Sequence, residues 1–287
     1  MTTDMQHDPD ATTPGGPHGA GRHLSQGDMS YTDERGRRPA SAARLARTAG
    51  LLYLVVAIFG GFAQIVRVNV YEPGNAAATS ANIVANANLV RLSFVADLVQ
   101  ALVWLVLAVT LFRLLAHAGR SIARAMVVFV AVSAAITCLN MVNQFGALLV
   151  ATNHSYVTAL GTDGSNALVL LLMDLQHYGY LIAQLTWLWL FALGLLGYRS
   201  GMFPRWLSFL LMLGTVCYVI DALTPFLAPS FADTSAAIFV LPETLCEVSL
   251  LAYLLIKGVR TPERSGDCRP HPHRSAEYPA DLARESL

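Results

Sequence analysis

The chain has 287 residues, of which 54% are hydrophobic and 13% are charged, and its formal net charge is zero. A soluble domain of ordinary composition carries about 25% charged residues, so this composition argues against a soluble protein and favours one embedded in a membrane. The balanced charge provides no excess of basic residues that would attract nucleic acid, and we predict no nucleic-acid partner.

Polar stretches at both ends of the chain flank an apolar middle. Most of residues 1–43 are Gly, Pro, Asp, Thr, His and other polar residues, and such a stretch cannot bury enough apolar surface to fold. We therefore predict a disordered cytoplasmic leader over 1–43 and a disordered cytoplasmic tail over 261–287. Residues 44–260 between them form the predicted transmembrane domain.

Six long apolar segments follow one another in this middle region, each long enough for a membrane helix of about 20 residues. They cover residues 46–66, 89–116, 123–151, 168–197, 206–227 and 236–259. In the fourth segment, Asp174 opposes insertion by about 2.5–3.5 kcal/mol, but the surrounding aliphatic residues favour insertion by roughly 4–8 kcal/mol. The sequence therefore predicts an all-α integral membrane bundle of six transmembrane helices.

The connection after the first apolar segment predicts a short additional helix. A turn at Pro73 and Gly74 precedes a run of good helix formers, and Asn75 can accept a backbone N–H bond at the start of that run. We expect this helix to lie at the outer surface, and we favour a packing element that covers the end of the bundle over a gate.

Basic residues mark alternate connections. They lie in these connections or at the segment ends beside them: Arg35, Arg37, Arg38, Arg44 and Arg47 at the start of the first segment, Arg113, Arg120 and Arg124 where the second meets the third, Arg199 and Arg205 where the fourth meets the fifth, and Lys257, Arg260 and Arg264 at the end of the sixth. The connections between the third and fourth and between the fifth and sixth segments contain neither Lys nor Arg. By the positive-inside rule, we predict that both termini are cytoplasmic and that the protein is a multi-pass protein of the plasma membrane.

Polar side chains recur at a similar depth in all the predicted helices, in the half that faces the outside. The candidate ligand-binding residues among them are Arg91, Asp97, Asp174, His177, Asp221, Glu243 and Glu247. The spacing of three between Asp174 and His177, and of four between Glu243 and Glu247, places each pair on one helix face. Charged groups are costly in lipid, so we predict that these faces line a polar cavity that opens to the outside.

The predicted layer contains more acid than base, and four interpretations of it remain open. Like charges in a dry site cannot all ionise, so the layer suits an ion, proton or small-ligand site that serves binding or transport. It equally suits a structural network in which Arg67 and Arg91 pair with Asp97 or Asp221. The alternatives are a non-catalytic membrane sensor or assembly subunit, and an intramembrane enzyme that acts on lipid with His177 and the carboxylates as acid and base.

Motifs of soluble catalysis do not occur in the chain. It contains no phosphate-binding Gly-Lys-Ser loop, no Gly-x-Ser-x-Gly elbow and no His-Glu-x-x-His helix. With His177 as the one membrane histidine, we predict neither a metal nor another cofactor, and we favour a role other than catalysis. The nearby Tyr178, Tyr180, Trp187 and Trp189 are interpreted as packing and hydrogen-bonding residues. The predicted partners are the lipid bilayer and a small solute, ion or proton.

Six short stretches occur in a characteristic order along the membrane domain. They are 46–54, 73–83, 91–98, 177–182, 199–205 and the part of 247–259 that runs from Glu-Val-Ser-Leu to Lys-Gly-Val. Together they resemble a family of uncharacterised bacterial multi-pass membrane proteins, the domain of unknown function family 4386. The resemblance covers residues 44–260 and implies a membrane bundle, but no activity. Asn75 and Cys246 depart from the pattern, which usually has Asp and Gly at these positions.

Overall fold

A computed structural model describes residues 33–257 of the chain, and nearly all of them are α-helical. The helices are α1 (Asp33–Val70), α2 (Ala76–Ala85), α3 (Ala87–Leu115), α4 (Arg120–Thr152), α5 (His154–Leu185), α6 (Trp189–Ser200), α7 (Arg205–Leu227) and α8 (Ala232–Ile256). The chain divides into two compact units, 1–38 and 39–287. The described part of the first unit is the start of α1, and all other elements belong to the second.

Within the described residues, six helical segments are long and apolar enough to cross a membrane. They are Ala43–Val70, Ala87–Ala118, Arg120–Thr152, His154–Ser200, Arg205–Leu227 and Pro229–Ile256. Their outward faces carry large aliphatic side chains, and Leu102, Leu139 and Leu241 are 64%, 74% and 73% exposed. Soluble monomers rarely expose broad apolar faces. The prediction of an all-α bundle of six membrane helices is confirmed, and its surroundings are a lipid bilayer.

The predicted terminal segments fall largely outside the described residues. This holds for most of the leader 1–43 and for the whole tail 261–287, together with Arg260 and Arg264. The expected disorder of 1–32 and 261–287 and the cytoplasmic orientation of the termini stay predictions, whereas residues 33–43 of the predicted leader are the start of helix α1.

The short helix predicted after the first span is present as α2. The side chain of Asn75 accepts a hydrogen bond from the backbone N–H of Ala78 at 3.0 Å, as expected of a residue that caps a helix start. Ile83 on the inner face of α2 is fully buried. It packs into an apolar cluster with Val66 and Leu148, so that α2 covers this end of the bundle.

The apolar interior forms two clusters at different depths. The smaller one lies near α2 and includes Val70, Val90 and Met173. The larger one packs the N-terminal half of the first span against α3, α4, α6, α7 and α8, with Leu193 and Leu211 fully buried in it. The polar residues of the spans lie mainly between these two clusters, which places the candidate site inside the bundle.

The connection between the third and fourth spans is helical. Only Asn153 separates α4 from α5, and its side chain accepts a hydrogen bond from the N–H of Ser155 at 3.0 Å. Asn153 therefore ends one helix and caps the next. The chain bends again at Gly161, whose φ of 71° is in the left-handed region that favours glycine. The cap and the bend thus allow two helices to follow each other directly.

Candidate functional site

A cavity of about 520 Å³ lies inside the bundle, among residues of the membrane spans. Side chains from all six spans line it. Gln64 and Arg67 line its end near α2. Tyr53, Trp104 and Trp189 line its opposite end, and these three residues also belong to the larger apolar cluster, which thus forms the floor of the cavity.

An ion pair between α1 and α3 stands at the end of the cavity near α2. The Arg67 guanidinium donates to the Asp97 carboxylate, which is 2% exposed. It also donates to Oε1 of Gln64 at 3.2 and 3.0 Å and lies 5.8 Å from the centre of the Tyr180 ring. The carboxylate of Asp97, the amide oxygen of Gln64 and the face of the Tyr180 ring all interact with the guanidinium group. The positive charge of Arg67 is therefore balanced by groups of the protein itself.

Two glutamates of α8 face the cavity on successive turns of the helix. Glu243 is 8% exposed, and its Oε1 atom has no hydrogen-bond partner in the part of the chain that the structure describes. Glu247 is half-buried and interacts with the side chain of Tyr218. Among the described residues, neither glutamate forms an ion pair with Arg or Lys. The two carboxyl groups of α8 thus line the cavity without a basic partner in the described part of its wall.

Aromatic side chains surround the deeper part of the cavity. The rings of Trp187 and Tyr218 lie 4.6 Å apart between centroids, and Trp104 lies 6.0 Å from Trp187 and 5.9 Å from Trp189. All these pairs meet edge to face, with interplanar angles of 67°, 84° and 76°, an arrangement that aromatic rings prefer. Tyr53 extends the set through a contact of 6.2 Å with Trp189. Together with Tyr180, which also lines the cavity, these residues form an aromatic enclosure.

Several buried polar atoms that line the cavity have no hydrogen-bond partner within the described residues. Among the described residues, seven buried side-chain N or O atoms lack a hydrogen bond, and five of them belong to residues that line the cavity. The five are the hydroxyl of Tyr53, the indole N–H groups of Trp104 and Trp189, and one Oε1 atom each of Gln184 and Glu243. Buried polar groups in proteins are nearly always satisfied. Their concentration in one cavity is a sign of a binding site.

The fourth span is interrupted where it passes the cavity. α5 ends at Leu185 and α6 begins at Trp189, with a turn between them. The Thr186 side chain in this turn donates to the carbonyl of Ala183 at 2.6 Å and also bonds to Ser133 on α4. These bonds hold the turn, which allows both Trp187 and Trp189 to line the cavity. Non-helical backbone at membrane depth is tolerated where it is buried in protein or lines a cavity.

The structure brings together three of the seven predicted site residues. Asp97, Glu243 and Glu247 line the cavity. The other four lie elsewhere. Residues at a similar depth in the bundle therefore do not share one site, because their side chains point in different directions from their helices.

Asp174 and His177 lie beside the cavity, next to the connection between α1 and α2. The Tyr71 hydroxyl donates to Asp174 at 2.6 Å, and the Tyr71 ring lies 5.8 Å from that of His177. The pKa of Tyr71 is raised above its ordinary value, mainly by burial and secondly by the hydrogen bond to Asp174. The Tyr71 hydroxyl therefore stays protonated and remains a donor. His177 lines a recess of about 50 Å³ that shares Arg67 with the main cavity.

Arg91 and Asp221 have local structural partners. The Arg91 side chain is exposed, and it donates to Asn88 at 3.0 Å on its own helix. Asp221 accepts a hydrogen bond from Ser235 at 2.8 Å and so joins α7 to α8. Of the pairs predicted for a structural network, that between Arg67 and Asp97 is confirmed, while a pairing of Arg91 with an acidic residue was wrong.

The aromatic enclosure is a part of the site that the sequence did not predict. Tyr180, Trp187 and Trp189 were interpreted as packing residues, and they do pack, but all three also line the cavity. Trp104 and Tyr218 complete the enclosure from α3 and α7. The available signal was the concentration of three of the four tryptophans of the chain near the polar layer.

Comparisons with known proteins identify the family of the chain and nothing narrower. Among the described residues, no group of three or more His, Cys, Asp or Glu side chains is placed to hold a metal ion. No curated protein and no solved structure matches the chain. A family model described as a domain of unknown function, DUF4386, matches residues 48–258. This multi-pass membrane protein therefore belongs to the DUF4386 family, as its six ordered stretches indicate.

Proposed function

We propose that the protein binds a small organic ligand in the cavity within its membrane spans. The observation that carries this proposal is the set of five buried polar atoms that line the cavity without a protein partner. Each such group left unsatisfied costs about 1–3 kcal/mol. A ligand that bonds to several of them offsets this cost and is held by groups that the fold has already positioned.

The size of the cavity favours an organic molecule over a bare ion or a proton. Sites for small molecules have volumes of about 300–1,000 Å³ and combine apolar walls with a few placed polar groups. The cavity volume of about 520 Å³ falls in this range. The indole N–H groups of Trp104 and Trp189 would donate to an acceptor of the ligand, and the carboxylate of Glu243 would accept from a donor.

Binding is the step that the geometry supports, for either a receptor or a transporter. At the floor of the cavity, Tyr53 and Trp189 contact each other within the larger apolar cluster. Passage across the membrane would require this end to open, and the break between α5 and α6 is where such a movement would begin. Following the positive-inside rule, we further propose that both termini are cytoplasmic and that the Arg67 end of the cavity faces the outside of the cell membrane.

The proposal is tested by the thermal stability of the purified full-length protein in a neutral detergent, against a panel of small solutes and lipids. A ligand that binds the folded state stabilises it by mass action, by about 2.7 kcal/mol at one hundred times its dissociation constant. We expect at least one compound to raise the unfolding temperature selectively.

A matched pair of glutamines locates the bound compound. Gln184 and Gln144 are both buried, and each has an Oε1 atom without a partner, but only Gln184 lines the cavity. The stabilisation should be lost in Gln184→Leu and kept in Gln144→Leu. A panel without any stabilising compound, or a stabilisation equally sensitive to both substitutions, would contradict binding in the cavity.

A further inference from the structure

The charges of the cavity wall favour a cationic ligand over an anionic one. Arg67 is matched by Asp97 and Gln64, so that the described residues of the cavity wall offer no free positive charge to an anionic group such as a phosphate. Glu243 and Glu247 add two carboxylates without a basic partner among the described residues. An ionised carboxylate at membrane depth needs a cation or hydrogen bonds to offset its desolvation. A cationic ligand would supply that charge.

The aromatic enclosure favours an organic cation in particular. The faces of Trp and Tyr rings attract ammonium groups electrostatically, and several rings around one volume form the usual site for substituted ammonium ligands. Trp104, Trp187, Trp189, Tyr180 and Tyr218 supply such rings here, and Glu247 lines the same cavity. A small metal cation would leave most of this apolar wall without contacts, whereas an alkylated ammonium group covers it.

One wall of the cavity is open toward the lipid between α1 and α8. α1 and α8 are in close contact at Gly50, where an added Cβ atom would lie 3.0 Å from the backbone of Leu254. Farther along α1, at Gly61, there is open space, since an added Cβ atom would meet no atom within 4 Å. Five residues of α1 and α8 both line the cavity and are exposed on the outer surface: Ala57, Gly61, Val240, Thr244 and Val248. A hydrocarbon chain can therefore extend from the cavity into the bilayer.

We propose that the ligand is an amphiphilic organic cation that enters from the bilayer between α1 and α8. Its ammonium group lies among the aromatic rings and near Glu243 and Glu247, and its alkyl chain passes between Gly61 and Thr244. This inference rests on the proposed function and adds to it the charge of the ligand, its amphiphilic character and its route of entry.

Intrinsic fluorescence gives a direct assay, because three of the four tryptophans line the cavity. The fourth, Trp206, is 57% exposed, and Trp206→Phe removes its background signal. The full-length variant in dodecyl maltoside is titrated with dodecyltrimethylammonium that carries bromine, a quencher of indole fluorescence, on its chain. Brominated dodecyl maltoside is the neutral probe, and brominated dodecyl sulfate is the anionic probe.

We expect saturable quenching by the cationic probe alone. The double substitution Glu243→Gln and Glu247→Gln should weaken its binding at least about tenfold, because the charge-assisted contacts are lost. Asp221→Asn removes a carboxylate outside the cavity and should leave the affinity unchanged. Thr244→Phe should slow the quenching by narrowing the opening, whereas Leu245→Phe on the adjacent exposed position should not.

The remaining outcomes separate the inference from the function on which it rests. Saturable quenching by the neutral or anionic probe, unaffected by the glutamate substitutions, would overturn the cationic ligand but leave ligand binding in place. Binding of the cationic probe at an unchanged rate in Thr244→Phe would overturn the lateral route. If none of the three probes gives saturable quenching, the proposal of an amphiphilic cationic ligand is refuted. If, in addition, no compound of the thermal-stability panel stabilises the protein, the proposed ligand binding in the cavity is refuted as well.

Discussion

Replacing Arg67 by Met isolates the energetic role of the buried ion pair between α1 and α3. The substitution keeps an unbranched side chain of similar length but removes the positive charge. Asp97, which is 2% exposed, then loses its partner, and the Gln64 amide loses a donor. Removing one partner of a buried ion pair costs about 3–5 kcal/mol, because the other charge is left uncompensated.

The opposite substitution should cost less. In Asp97→Asn, Arg67 keeps its bonds of 3.2 and 3.0 Å to Gln64 and its contact of 5.8 Å with the Tyr180 ring, and the new amide oxygen still accepts. We expect a loss of about 1–3 kcal/mol, the cost of weakening one buried polar contact. The double variant Arg67→Met with Asp97→Leu should lose less than the sum of the single substitutions, since no charge remains unpaired.

The free energy of unfolding is measured by circular dichroism in mixed micelles of dodecyl maltoside and sodium dodecyl sulfate, where helical membrane proteins unfold reversibly. Arg91→Met is the matched control, because Arg91 is exposed and bonds to Asn88 on its own helix. It should change stability by no more than about 0.5 kcal/mol. A similar loss for Arg67→Met and Arg91→Met, or strictly additive losses in the double variant, would refute the assignment of a coupled, buried ion pair.

Three further predictions concern the fold. Gly179→Ala should destabilise the protein by about 1–3 kcal/mol in the same unfolding assay, because its Cβ would lie 2.2 Å from the Asn140 side chain; an unchanged stability would show that Asn140 can move aside. Asn75→Ala should lower the free energy of unfolding by about 1 kcal/mol, because α2 loses the side chain that caps it, whereas Asn75→Asp keeps an acceptor and should not. An equal loss of stability in both variants would exclude the cap as the cause. In a protein without its native cysteines, Glu72→Cys at the proposed outer end should react in whole cells with a membrane-impermeant maleimide, and His117→Cys at the proposed inner end should not. Labelling of His117→Cys but not of Glu72→Cys would show that the protein has the opposite orientation.

Local information in the sequence was sufficient for the membrane helices and for the cap of α2. A membrane span depends on the summed hydrophobicity of about 20 neighbouring residues, and a cap depends on one side chain and the next three backbone N–H groups. Both properties are visible in a continuous stretch of sequence. The same information failed at the break between α5 and α6, since Thr186 and its neighbours include neither Gly nor Pro, and the turn is held by a bond to Ser133 on another helix.

The sequence by itself determined the depth of each polar residue, because depth follows from position along a helix at about 1.5 Å per residue. Only the tertiary structure decided which of these residues meet, because that depends on which helices are neighbours and how each is rotated. Arg67 and Asp97 come together from two spans, whereas Asp174 turns to Tyr71 and Asp221 to Ser235. The aromatic enclosure likewise exists only because packing brings the rings of several separate helices around one volume.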